Sequence, residues 1–434
     1  MASYKKSHMN KNKRRLFLKN AAAISAITIL KPSIVFGTKA NSAIRLGIIG
    51  CGNRGTAVIS SMVQNTNTAI VAMADIFDDK LQTALPKYNK LNADKQLPAI
   101  AAANMYQGSK AYMQLLENKD VDSVHISTPA YAHVMFLEAA VASGKHVYCE
   151  KPVAPDTAGC KRAMEVAGKV GNKQSVVIGF QIRHASPYVE MVKRIQRGDI
   201  GDVITAQLYY FSSGSEIHKA IGTSDDELRI RNHFHFNALS GGILLDQGIH
   251  MLDVCNWALN GHAINAVGRG GKKHLLPVGD AWNNYQVLYQ YPNDVNVSIH
   301  STQIGPVFGD VCCRFLGTKG SAEAHYSGGV FINGDNAWDS GVARTESEIT
   351  PEQRSSGAFL SALGDADKNK EQHFISSIET GNYVNEIRSG VESTLTAILG
   401  REAAESNKPL TWDEVLATNE RMDPKLNLAQ FDKK

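Results

Sequence analysis

Ile44-Arg45-Leu46-Gly47-Ile48-Ile49-Gly50-Cys51-Gly52-Asn53-Arg54-Gly55 decides the fold. An apolar run of strand length ends in closely spaced glycines, and Thr56 to Val63 continues with the spacing of a helix. The glycines divide the labour. Gly50 permits a tight turn, Gly52 lets the backbone approach a pyrophosphate, and Gly55 lets helix and strand pack closely. The start of the helix, at Asn53 and Arg54, offers amide donors to that anion. The pattern predicts a dinucleotide site.

A second apolar run, Ala69 to Ala74, ends at Asp75, 23 residues beyond Gly52. A Rossmann unit places its ribose-binding acid about 20 residues on. A carboxylate there accepts bonds from the ribose hydroxyls and repels a 2′-phosphate. No lysine or arginine stands in Ile76-Phe77-Asp78-Asp79 to neutralise that phosphate, so NAD is predicted over NADP. The competing reading makes Asp75 a cap for the next helix.

From Ile44 to about Val177, β-rich runs alternate with helical ones. Val121 to Ile126 and His146 to Cys149 read as strands, and Ala132 to Gly144 as a helix. Such alternation predicts a doubly wound parallel sheet. From Val203 the texture changes to successive strands of a mostly antiparallel sheet: Val203–Phe211, Val267–Gly270, Trp282–Tyr291, Val295–Thr302, Asp310–Leu316 and Gly320–Tyr326. A helical insertion, Gly242 to Leu259, interrupts that series, and Glu371–Thr380 and Ser389–Glu405 read as amphipathic helices. The fold class is therefore α/β plus α+β. The expected division is a leading segment 1–40, a nucleotide-binding domain 41–177 and a second domain 178–434 that includes the terminal helices.

A length of 434 residues suits two domains. The first forty hold nine of the chain's 46 lysines and arginines and none of its 42 acids, followed by a short apolar run from Ala21 to Leu30. Lys13-Arg14-Arg15-Leu16-Phe17-Leu18-Lys19 resembles the twin-arginine export signal, which implies a periplasmic location reached in the folded state. Without that segment the remainder is net acidic, which removes the support for a nucleic-acid partner. Nothing points to stable insertion in a membrane. Cys51, Cys149, Cys160, Cys255, Cys312 and Cys313 form no CxxC, so they read as buried thiols rather than a disulfide framework or a zinc site.

Glycine turn, Asp75, Ser127-Thr128-Pro129, Glu150-Lys151-Pro152 and Asp246-x3-His250 occur in that order, and with them the chain resembles the glucose–fructose oxidoreductase, inositol dehydrogenase and rhizopine-catabolism family (Gfo/Idh/MocA). The resemblance extends from Ile44 to Trp412 and includes Gly179-Phe180-Gln181-Ile182-Arg183, Gly198-Asp199-Ile200-Gly201 and Gly317-Thr318-Lys319-Gly320. It implies an open C-terminal sheet whose exposed face builds a homo-dimer or tetramer. It also implies nucleotide contacts from Ser127, Thr128, Pro129 and His133.

Oxidation of a secondary alcohol needs a base for the hydroxyl proton, and His250 is the best candidate because imidazole titrates near neutrality. Asp246 precedes it by one helical turn, so both side chains project from one face. Lys151 can hydrogen-bond the reacting oxygen. The resemblance to inositol dehydrogenase assigns Lys151, Asp246 and His250 the same catalytic roles and makes them substrate contacts. Glu150 and Gln181 complete the expected cofactor set, and Arg183 and His233 the substrate set. His233, His235 and His250 also suggest a metal, but no further acid or cysteine is spaced to complete a site, so none is assigned.

The leading reading is an exported NAD-dependent oxidoreductase acting on a sugar, glycoside or cyclitol. One alternative is a glycosidase that oxidises transiently, eliminates, hydrates and reduces again. The other is a silent NAD-binding protein, against which the retention of Lys151, Asp246 and His250 argues.

Overall fold

Six parallel strands build the first sheet: β1 (Ile44–Ile49), β2 (Thr68–Asp75), β3 (Met105–Gln107), β4 (Ser123–Ile126), β5 (His146–Cys149) and β6 (Val176–Ile178). Their spatial order is β3-β2-β1-β4-β5-β6, the doubly wound order of a Rossmann sheet. In the computed structural model, residues 42–213, 217–219, 223–272, 278–304, 310–342 and 362–432 are described. The basic segment with Arg14 and Arg15 lies outside them. All four residues of β4 and six of the eight in β2 are buried, as strands covered by helices on both faces require.

The second sheet has nine strands: β7 (Val203–Ser212), β8 (Asn265–Gly271), β9 (Asn284–Gln290), β10 (Asn296–Gln303), β11 (Asp310–Gly317), β12 (Gly320–His325), β13 (Val330–Gly334), β14 (Trp338–Asp339) and β15 (Leu410–Thr411). The order is β14-β13-β12-β11-β7-β10-β9-β8-β15. All its pairings are antiparallel except that of β7 with β10. Along β9 and β10 buried residues alternate with less buried ones, so one face is packed and the other open. Helix Ile387–Ser406 lies on the packed face against β8 and β9. A Cβ at Gly400 would stand 1.9 Å from the Tyr289 hydroxyl, so glycine sets how closely that helix approaches.

Two details depart from the sequence reading. The expected single helix from Gly242 to Leu259 is a π-helical turn, Leu244–Gly248, running into an α-helix, Ile249–Leu259. The helix Ala366–Thr380, placed by sequence with the second domain, instead seats Phe374 and Ile375 in the apolar cluster that holds Leu46, Ile48, Tyr148 and Val177 of the first sheet.

Candidate active site

The strand order of the first sheet reverses between β1 and β4, and there the carboxyl ends of neighbouring strands leave a crevice. Gly50 has φ of +96°, and a Cβ on it would fall 2.3 Å from the carbonyl oxygen of Ser127. A Cβ on Gly55 would fall 2.4 Å from the carbonyl oxygen of Gly50, whereas nothing lies within 4 Å of one on Gly52. Gly50 and Gly55 are thus demanded by the fold. Gly52 leaves open space beside the start of helix Asn53–Asn65, which has neither a side-chain cap nor an acid in its first turn. Its amides remain available to an anion, and the cradle fits a pyrophosphate.

Asp75 sits beside that turn. One carboxylate oxygen accepts the Cys51 amide at 2.7 Å and the other the Phe77 amide at 2.9 Å. Each oxygen keeps a lone pair for a ribose hydroxyl. The next helix, Asp78–Asp94, has Phe77 at its N-cap and no side-chain cap bond, so Asp75 does not serve as that cap. Burial pushes the Asp75 pKa up, opposed by the two amides.

Arg54, Glu150 and Gln181 are joined to one another. Arg54 donates to Glu150 at 3.0 Å, to Gln181 at 2.9 Å and to Asp367 at 3.4 Å. Glu150 is buried, which alone would raise its pKa, but the Arg54 and Lys370 cations more than offset burial and hold it below the usual carboxylate range. Asp367 and Lys370 come from helix Ala366–Thr380 and carry no motif that sequence reading could use. His133 is buried, with its ring nitrogens 2.7 Å from the carbonyl oxygens of Pro152 and Thr128. That engagement makes it a tie between the two loops. Thr128 in the same turn has a buried hydroxyl with no partner among the described residues, so the Ser127-Thr128-Pro129 loop retains an unused polar group.

Lys151, two residues beyond β5, reaches the π-helical turn that carries Asp246. Its ammonium donates to the Asp246 carbonyl oxygen and stands 3.7 Å from the Asp246 carboxylate. π-Turns recur where a helix must re-aim a functional side chain, and this one brings Asp246 to the lysine of the other sheet. His250 follows on the α-helix and is 8% exposed. Its ring stacks near Tyr210, with centroids 6.3 Å apart, and meets Tyr326 edge-on at 6.1 Å. Its Nδ1 is buried with no partner among the described residues. Burial, reinforced by the Lys151 charge, pushes its pKa well below the usual imidazole value, so the ring is neutral at pH 7. The tyrosine walls went unforeseen because Tyr210 is placed by alternation along β7 and Tyr326 by the end of β12.

His233 belongs with this group. Burial lowers its pKa, and the Asp246 carboxylate is the largest influence in the other direction. Arg183 is anchored by an ion pair. Its guanidinium is held bidentately by buried Asp253 at 2.8–3.1 Å, and Ser393 donates to the same carboxylate. The ion pair occupies Nε and Nη2 of the guanidinium and fixes the orientation of Arg183.

The comparisons with known proteins agree with this geometry. A family model described as the oxidoreductase family, NAD-binding Rossmann fold, of Gfo/Idh/MocA matches residues 44–178. The Gfo/Idh/MocA C-terminal domain model matches residues 188–323. Inositol 2-dehydrogenase of Salmonella typhimurium is 31% identical over 173 residues, which is 40% of this chain and 47% of that protein. The match therefore spans about half of that relative's length. Among solved structures, scyllo-inositol dehydrogenase of Lactobacillus casei with NAD(H) and scyllo-inositol superposes with a TM-score of 0.64 at 20% identity, over 86% of this chain and 99% of that one. Aldose–aldose oxidoreductase of Caulobacter crescentus, complexed with glycerol, gives 0.66 at 19% identity, over 85% and 99%.

Proposed function

Since the chain belongs to the Gfo/Idh/MocA oxidoreductase family, we propose that it oxidises a secondary hydroxyl of a cyclitol or sugar in an NAD-dependent reaction. The observation that carries this reading is the meeting of Lys151 from the first sheet with Asp246 from the second, one turn from a buried neutral His250. NAD, when bound, supplies the hydride acceptor, and the turn at Gly50, Gly52 and Gly55 with Asp75 would hold it. Lys151 orients the reacting hydroxyl and stabilises negative charge as it develops on that oxygen. His250 accepts the hydroxyl proton at Nε2, since Nδ1 is sealed from solvent. Asp246 holds Lys151 in place through its carbonyl oxygen and its carboxylate. The inositol and aldose enzymes it is similar to support a polyol substrate.

The test is to denature the purified protein, assay the released nucleotide, and follow NADH formation with a panel of cyclitols and aldoses. NADH formation with a polyol is the expected result. Cleavage of an aryl glycoside without accumulation of NADH would instead favour the transient-oxidation glycosidase.

Two further readings belong to the proposal. Export rests on Lys13-Arg14-Arg15-Leu16-Phe17-Leu18-Lys19, and replacing both arginines by lysine should retain the protein in the cytoplasm on cell fractionation. Self-association as a homo-dimer or tetramer is supported by Val267 and Leu288, exposed side by side on β8 and β9, and sedimentation measures it.

A further inference from the structure

Strand β11 places Asp310 and Cys312 two residues apart, hence on one face, and its antiparallel register sets Cys312 opposite His325 of β12. Tyr209 lies opposite Cys312 and Tyr210 opposite Val311, so this is the face turned away from the Tyr210 side that meets His250. One ligand atom from each of Asp310, Cys312 and His325 lies within 4.8 Å of the other two. We propose that these three residues form a binding site for a transition-metal dication, zinc being the best fit, with a fourth position left to water.

Three observations support the assignment. The donors are a thiolate sulfur, an imidazole nitrogen and a carboxylate oxygen, a set that suits zinc and discriminates against magnesium and calcium. Ligand atoms around a tetrahedral zinc stand roughly 3.3–3.8 Å apart, so a contraction of at most about 1.5 Å completes the coordination. The outer shell is also present. His325 has Nδ1 3.5 Å from Asp310 and Nε2 2.6 Å from Glu323, so the nitrogen pointing away from the site is fixed by a carboxylate. Glu323 is in turn gripped by Arg314 at 2.9 Å. A carboxylate on the far nitrogen is how a metal-bound histidine is usually oriented.

Cys312 is wholly buried, while Asp310 and His325 keep 21% and 26% of their side-chain surface, which gives an ion a route in from the open face. Sequence alone reads Cys312 as a buried thiol because no CxxC marks it. The pair is made by strand register, thirteen residues apart in the chain.

The arrangement that competes is a protonated His325 shared by Asp310 and Glu323 with no metal. Cobalt(II) separates the two, added to the metal-stripped full-length protein with NAD present. The expected result is one equivalent bound per chain, with a thiolate-to-cobalt charge-transfer band and the visible bands of a tetrahedral site, both displaced by zinc. Cys312→Ser should lose the charge-transfer band, while Cys313→Ser, altered on the opposite face, should keep it. Glu323→Gln should keep the band and weaken affinity about 10–100-fold. Should Cys312→Ser fail to fold, protection of Cys312 from alkylation by zinc in the unmutated protein gives the same answer. Absence of stoichiometric cobalt binding, a band that survives Cys312→Ser, or alkylation unaffected by zinc would each overturn the site and leave the ion pair alone.

Discussion

At the scale of single residues, His250 and Lys151 should fail differently when altered. His250→Asn should lower turnover roughly 10²–10⁴-fold, the usual cost of losing a general base, with NAD affinity retained. Lys151→Ala should reduce turnover and also weaken NAD binding, because it stands two residues beyond β5 at the nucleotide crevice. Fluorescence titration with NAD beside steady-state rates checks both. Asp75→Ala should cost about 1.5–3 kcal/mol of NAD binding and narrow the preference over NADP, measured as the ratio of the two dissociation constants. Lys151, Asp246, His250 and Asp75 were legible because their chemistry is marked by spacing from glycines or along a helix. Asp367 and Lys370 were not, since a charge on a distant helix carries no local sign of what it will face. The Arg183–Asp253 ion pair was not legible either, because a guanidinium reads identically whether it serves a substrate or a buried carboxylate.

At the scale of elements, the first β-turn-α unit separates binding from folding within one motif. Gly52→Ala adds a methyl group into open space, so stability should change by less than about 0.5 kcal/mol while NAD affinity falls on the order of tenfold or more. Gly55→Ala drives its methyl group against the Gly50 carbonyl and should lose about 1–3 kcal/mol of stability as well. Thermal melts with and without NAD distinguish the two variants. The strands β1, β2, β4, β5 and β7 to β12 were readable to within two or three residues, because apolar runs in β1 and alternation in β7 to β12 report burial directly, whereas the short β3, β6, β13, β14 and β15 were not read. The π-turn was not. Leu244–Gly248 differs from an α-turn by one residue of winding, imposed by the neighbouring packing and not by the order of apolar positions.

At the scale of the whole molecule, acid should act through buried neutral histidines. Burial takes the pKa of His125 and of His184 down to about 3 and that of His250 well below 6.5. Unfolded imidazoles titrate near 6.5, so between about 6.5 and 3 the unfolded chain binds more protons and stability falls with pH. Chemical denaturation midpoints should therefore drop steadily from pH 6.5 to 4. Both ring nitrogens of His125 are buried without partners among the described residues, so His125→Phe should remove one proton's worth of that slope, about 1.4 kcal/mol per pH unit. The two-sheet plan was legible, because parallel and antiparallel strands bury their residues in different patterns. The seating of helix Ala366–Thr380 on the first sheet was not, for it joins segments some three hundred residues apart. That seating bears on synthesis. A ribosome releases β1 to β6 long before Phe374 and Ile375 emerge, so the nascent sheet must carry a bare apolar patch through most of translation. Chains truncated before residue 366 should therefore associate with chaperones or precipitate, and the nucleotide-binding half becomes complete only as the carboxyl end leaves the exit tunnel.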